Sequence, residues 1–328
     1  MTAEFAVVPL KESGVSPDVW DAFVARAEGG SIFHRLRFLA YHGSRFTAQE
    51  RHLVVLRSGA LFGVMPMAVA DEGGRRVARS PYGGSYGGPV FERRLRYHEA
   101  MAVAAQLARA LAGLGVDKAT VTLPVAPLYA EPCETLRLAL CENGFASIRR
   151  DISSVVAVRP TRAAAEAAMD SRARNAARKA ARLGVTTVRG ADVDAFWPVL
   201  LRSYERHGVA PTHTRDELAR LAATFPDAVS VDVALLDGQP VAGICHIAAS
   251  PRVDGSFYLA ADPAHRDTQA LGLLVAESLA TAADRGYAFF DFGTSSAGMR
   301  GRPGVFLFKE QFGAVGVARE TLAWRPGA

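Results

Sequence analysis

The sequence predicts an α/β (α+β) protein made of two similar halves, each a mixed, twisted sheet flanked by helices. Three observations predict it: a hairpin pattern occurs twice, a helix stopped by glycine occurs twice, and a β-rich run follows each such helix. At 328 residues the chain is long enough to bury two cores of ordinary size.

The first half opens with a helix candidate at residues 17–28 and then a hairpin at residues 53–69, with a glycine-bearing turn at Ser58 and Gly59. Residues 80–91, SPYGGSYGGPVF, form a glycine-rich connection to a helix at 95–114, which Gly115 stops before the strand KATVTLP. The second half repeats the order. A helix candidate at 192–206 precedes a hairpin at 231–249 whose turn is Asp237-Gly238, the pair best suited to two positive φ angles. A helix at 268–285, Gly286 and the strand YAFFDFG follow. Gly63 and Gly243 hold matching places in the return strands, where a missing side chain permits a bulge or a close approach. An Ala/Arg-rich helical segment at 161–183 joins the halves, so the expected domains are residues 1–159 and 160–328.

Composition narrows the class. Apolar residues make up 49% and charged residues 22%, which is globular, and no apolar run approaches the ~20 residues of a membrane span. The N-terminal residues lack the pattern of a secretory signal, and a cytoplasmic protein is expected. Cys133, Cys141 and Cys245 form no CxxC pair, so reduced, mostly buried thiols are expected. The eight histidines show no HxxxH or HExxH spacing, no GxSxG elbow is present, and neither a metal site nor a serine hydrolase is expected. A net charge of +5 tilts the protein modestly toward acidic partners.

A hairpin whose next strand leads to a helix and a further strand is similar to the GNAT acyltransferase core. Two such cores, joined by a basic helix and closed by FFDFG and FKEQFG, resemble the FemAB-like family of aminoacyl and acyl transferases. Four segments carry the resemblance in this order: residues 80–91, 171–188, 289–293 and 306–314. The resemblance implies two tandem GNAT-like domains and an N-acyltransferase that moves an aminoacyl group from aminoacyl-tRNA to an amine on a cell-wall (peptidoglycan) precursor, peptide or small metabolite. An acyl-CoA-dependent enzyme is the alternative, and a non-catalytic module for an anionic ligand or RNA is a third reading. No tightly bound cofactor is expected. The long coiled-coil arm of some family members is missing, so docking of tRNA through such an arm is excluded.

A pyrophosphate held at a helix N-terminus needs glycines, because a Cβ would keep the anion from the backbone. After the strand SFYLAADP this chain has Arg266, Asp267, Thr268, Gln269, Ala270 and Leu271, which is poor in glycine and argues for tRNA over CoA. The first-half connection YGGSYGGP is either a phosphate-accepting loop or a tight turn. Arg172, Arg174, Arg178, Lys179 and Arg182 fall within eleven residues that contain no acid. Arg174, Arg178 and Arg182 share one helical face, so this segment, with Arg266 and Gln269, is the expected binding surface for donor phosphates.

Aminolysis of an ester or thioester needs a neutral amine, a proton acceptor and donors for the developing oxyanion. Lys309 sits in FKEQFG among Phe306, Phe308 and Phe312, an alternation that reads as a half-buried strand, and the resemblance gives the lysine of this motif a role in stabilising negative charge. Asp291 closes an apolar run and is expected either to pair with Lys309 or Arg300 or to act as a base. His246 lies on the second return strand, where GNAT-like enzymes splay two strands, and Tyr258 on the next strand is a candidate proton donor. Tyr204, His207 and His213 flank a helix exit that is expected to line an acceptor pocket, together with Tyr82 and Tyr86 of the glycine-rich connection. Residues 295–305, with four Gly or Pro, read as a mobile loop that covers the site.

Overall fold

The computed structural model describes residues 4–205 and 208–327, so His207 lies outside the described residues. It forms two compact units, residues 4–151 with 318–327, and residues 152–317. The chain leaves the first unit within a strand that spans Phe145–Ala157 rather than between residues 159 and 160, and its last strand returns to the first unit.

In chain order the first unit contributes β1 (Phe5–Pro9), α1 (Pro17–Val24), α2 (Leu36–Leu39), β2 (Leu53–Arg57), β3 (Ala60–Met65), β4 (Ala68–Asp71), β5 (Arg76–Ser80), β6 (Val90–Phe91), α3 (Tyr97–Gly113), β7 (Lys118–Thr122), α4 (Thr135–Glu142) and the start of β8 (Phe145–Ala157). Local chemistry sets the ends. Ser16 accepts the Val19 N–H ahead of Pro17 at the first position of α1, and Gly115, at φ 63°, follows α3. The hairpin turn has φ 49° at Ser58 and 82° at Gly59, which matches the strand twist. Strands β1, β2, β3 and β6 form an antiparallel sheet, whereas the mixed pairing of this unit lies elsewhere, in β4, β5 and β7. Leu53, Phe62, Met65, Leu107, Val121 and Trp324 meet in its core.

The second unit continues with α5 (Arg162–Ala168), α6 (Ser171–Arg182), β9 (Thr186–Val188), α7 (Val193–Glu205), α8 (Arg215–Thr224), β10 (Val229–Leu236), β11 (Gln239–Ile247), β12 (Val253–Ala261), α9 (Ala270–Asp284), β13 (Phe289–Thr294), β14 (Ser296–Ala297), β15 (Arg300–Gly301), α10 (Pro303–Glu310) and β16 (Val315–Trp324). The segment expected as one helix at 161–183 is two, because the Asp170 carboxylate accepts the Ala173 N–H and starts a new one.

FKEQFG is not a strand. Its first three residues close α10, which Pro303 opens at the first position, while Gln311, Phe312 and Gly313, at φ 86°, form the turn beyond it, with the Phe308 and Phe312 rings 5.3 Å apart. The last strand is β16, whose final residues pair antiparallel with β7, from Thr321 opposite Thr122 to Trp324 opposite Ala119.

The sheet of the second unit runs β8-β13-β12-β11-β10-β9. In this sheet, among the described residues, only β12 and β13 are parallel neighbours, and α9 packs on β10, β11, β12 and β13. Ile244, Leu274, Val275, Phe290, Phe292 and Phe312 form the core on that side, and each such burial contributes roughly 1.5–3 kcal/mol. The repeated hairpins share a detail: each return strand carries an extra residue, Phe62 opposite the step Val55 to Leu56 and Val241 opposite Ala234 to Leu235. A Cβ on Gly63 would lie 2.6 Å from Phe91, and one on Gly243 would lie 2.3 Å from Phe196, so both glycines serve close approach. Of the cysteines only Cys245 is buried, Cys133 being intermediate and Cys141 exposed.

Candidate functional site

Strands β12 and β13 pair only from Val253 opposite Phe289 to Gly255 opposite Asp291, and beyond that point they part. Gly255 permits the last contact, since a Cβ there would stand 2.7 Å from the Asp291 carbonyl oxygen. The parting is therefore not at His246. Strand β11 stays paired with β12 through His246 opposite Ser256, with a bulge at Phe257.

Lys309 and Asp291 lie within electrostatic reach of each other where β13 leaves its neighbour. The Lys309 side chain is 4% exposed, and its Nζ donates to the carbonyls of Gly293 and Thr294, each at 2.9 Å. Burial lowers its pKa to about 8, against the opposing pull of Asp291. Asp291 accepts from Ser153 Oγ at 2.6 Å and from the Gly293 N–H at 2.8 Å, so its Oδ1 has two donors from its own unit. An ammonium has three N–H groups; two are held by carbonyls, and the third has no hydrogen bond among the described residues. Arg300 lies exposed in β15. The 295–305 segment is anchored rather than loose: Ser295 and Ser154 hydroxyls are 2.6 Å apart, Ser296 Oγ accepts the Ile152 N–H, and Pro303 begins a helix.

On the side of the sheet facing α9, His246 is buried between two carboxylates. Its Nε2 lies 3.3 Å from Asp232 and its Nδ1 3.7 Å from Asp254, with Ser278 Oγ 3.4 Å from Nε2. Burial alone would lower its pKa, but the two carboxylates outweigh it and raise the imidazole to about 9. An imidazolium has no lone pair to accept a proton, so this geometry favours a structural charge cluster over a base. Asp232 and Asp254 were missed because single acids within apolar strands carry no spacing signal.

On the opposite side, Tyr258 accepts the backbone N–H of His213 at 3.0 Å, and its Oη lies 2.8 Å from His213 Nδ1. Tyr204 of α7 packs edge-on against Tyr258 at 5.9 Å. Three of the residues expected at a site thus come together, and Thr214, next to His213, caps α8.

The donor segment is self-contained. Gln269 adopts φ 61°, a left-handed conformation that favours glycine, and its side chain donates to the Arg266 carbonyl at 3.0 Å. Thr268 Oγ1 accepts the Ala270 N–H at 3.3 Å and so takes one of the donors at the start of α9. Beside this segment lies a cavity of about 530 Å³ bordered by Arg202, Asp262 and His265.

On α6, Arg174 donates to the Met169 and Ala167 carbonyls at the end of α5, where a cation suits the helix dipole, and Arg178 pairs with Glu166 at 3.0 Å. Arg172, Lys179 and Arg182 are exposed, while Ala173 and Ala180 are buried on the side that packs on α9. In the first unit Tyr82 and Tyr86 are both buried. Tyr82 donates to Glu50 at 3.0 Å, and Tyr86 packs on Phe33. The glycines of this connection serve packing: a Cβ on Gly83 would sit 1.8 Å from His42 Nε2, and one on Gly87 2.4 Å from the Pro81 nitrogen.

Residues 167–301 match the family described as Acetyltransferase (GNAT) domain. Among solved structures, FemX is similar over 95% of this chain and 96% of its own, at 12% identity and a TM-score of 0.73. The C-terminal domain of a putative lysylphosphatidylglycerol synthetase from Agrobacterium fabrum is similar over 94% of this chain and 91% of its own, at 13% identity and a TM-score of 0.59. A tandem GNAT protein from the clavulanic acid biosynthesis pathway is similar over 99% of both chains, at 12% identity and a TM-score of 0.53. No curated protein matches by sequence. At these identities the likeness to solved structures is one of fold, and it bears out the FemAB-like tandem resemblance at that level. The chain thus has the tandem GNAT-like fold of FemX, and with its GNAT acetyltransferase domain it is an acyltransferase.

Proposed function

We propose that the chain transfers an aminoacyl group from aminoacyl-tRNA to an amine acceptor, with the chemistry at the parted ends of β12 and β13. The observation that supports it is the buried Lys309 ammonium, held by two carbonyls with its third N–H uncommitted. The acceptor amine attacks the ester carbonyl, the new C–N bond forms, and the third N–H of Lys309 donates to the oxyanion. The C–O bond then breaks, and the ribose oxygen of the donor leaves as a hydroxyl with the proton that the attacking nitrogen gives up. Asp291 balances the ammonium, and Tyr258 positions the His213 segment toward the acceptor.

A tRNA donor is favoured over CoA because Gln269 fills the left-handed position with a side chain and Thr268 already takes the Ala270 N–H, one of the donors a pyrophosphate would need. Exposed Arg172, Lys179 and Arg182 supply phosphate contacts. The test is incubation with charged tRNAs and, separately, with an acyl-CoA panel, followed by mass analysis of a mixed amine library. Transfer from tRNA is expected. Transfer from CoA alone overturns the donor assignment, and transfer from neither favours a binding module.

A further inference from the structure

Arg319 of β16 is buried at its Nε, which has no hydrogen-bond partner among the described residues, although the side chain as a whole is half-buried. Its Nη2 donates to the Ser85 carbonyl, and its guanidinium lies 5.0 Å from the centre of the Tyr86 ring. No carboxylate pairs with it among the described residues. An arginine that is partly desolvated, stacked on an aromatic face and left without an acid is poised for a planar or tetrahedral oxyanion.

The loop that Arg319 grips is short of internal acceptors. The backbone N–H groups of Gly83, Gly84 and Ser85 donate to nothing among the described residues, whereas those of Gly87 and Gly88 go to the Thr122 carbonyl and to Ser80 Oγ. Gly83, at φ 63°, is pinned from behind, with its carbonyl 3.2 Å from His42 Nε2. Three successive uncommitted N–H groups, on a loop whose Ser85 carbonyl a guanidinium holds, add positive potential to that loop. The other charged groups packed against this part of β16 do not cancel it: Arg149 reaches Thr321 Oγ1 at 3.4 Å and pairs with Asp151, and Glu320 binds Arg137 and Arg150.

We propose that residues 83–85 and Arg319 form a subsite in the first unit for an oxyanionic group, a carboxylate or a phosphate, carried by the acceptor. Assigning the anion to the acceptor rests on the acyl-transfer reading; the binding itself does not. The full chain, without any acyl donor, is titrated with inorganic phosphate and separately with succinate, following the Arg319 Nε–H resonance by NMR. A saturable shift is expected, with phosphate if the acceptor is phosphorylated and with succinate if it bears a carboxylate. Arg319→Lys, with its melting temperature checked, is expected to weaken that binding by about tenfold or more. No saturable shift with either anion, or parental affinity in folded Arg319→Lys, overturns the subsite. Because no donor is present, failure here leaves the transfer reading standing, and a failed transfer assay leaves the subsite standing.

Discussion

Lys309 and Gly293 are joined by a 2.9 Å hydrogen bond from a buried ammonium to a main-chain carbonyl on a glycine at φ 72°. That bond fixes the Lys309 charge at the end of β13, and transfer is expected to depend on it. Lys309→Ala should keep the fold, checked by circular dichroism, and lower turnover by about two orders of magnitude. Since the folded pKa is about 8 and the ordinary value 10.5, the ammonium is lost first in the native state, so turnover should fall as pH rises through about 8. Over that window the unfolded chain binds the extra proton, and the contribution of Lys309 to stability rises with pH.

His246 has the opposite sign. Its pKa is raised to about 9 from 6.5, so its favourable contribution is fully present below 6.5 and disappears as pH rises through 9. His246→Leu leaves Asp232 and Asp254 buried without their cation and should cost about 3 kcal/mol at low pH, less in alkali. Urea unfolding at about pH 6 and about pH 9.5 measures the difference. An equal cost at both pH values would contradict the charge cluster.

Gly243 and Phe196 are complementary in shape. A Cβ at residue 243 would stand 2.3 Å from Phe196 Cδ2, so Gly243→Ala should destabilise the protein by about 1–3 kcal/mol. Phe196→Leu in the same chain should recover part of the loss, a coupling that a double-mutant cycle resolves.

Tyr258→Phe removes the acceptor for the His213 N–H and the partner of its ring. A loss of about 1–3 kcal/mol is expected, together with faster proteolytic cleavage around residues 208–214. Cleavage at the parental rate would show that the tether is not what orders this segment.

The hairpins and the glycine stops were legible because they are local. Ser58-Gly59 and Asp237-Gly238 declare positive φ within two residues, and Gly115 and Gly286 mark helix ends in the same way. α10 was misread because Phe306, Phe308 and Phe312 satisfy an alternating pattern, while the decisive signals were Pro303 at its start and Gly313 in the turn beyond it. The site was legible only in part. Lys309, Asp291, Tyr258 and His213 were readable as residue types, but the carbonyls that hold Lys309 belong to the backbone, and no sequence pattern names them. Arg319 was missed for the same reason, since its meaning depends on Ser85 and Tyr86, far away in the chain.

The pairing of β16 with β7 sets an order of events during synthesis. Thr321 and Thr122, whose hydroxyls are 2.9 Å apart, are separated by 199 positions, and the whole second unit lies between them. On the ribosome, β7 must wait with one edge unpaired until that unit has been made. The second unit can therefore finish folding before the first, although it begins later. A nascent chain stopped before residue 318 is expected to hold a folded GNAT domain behind an unfinished, aggregation-prone partner.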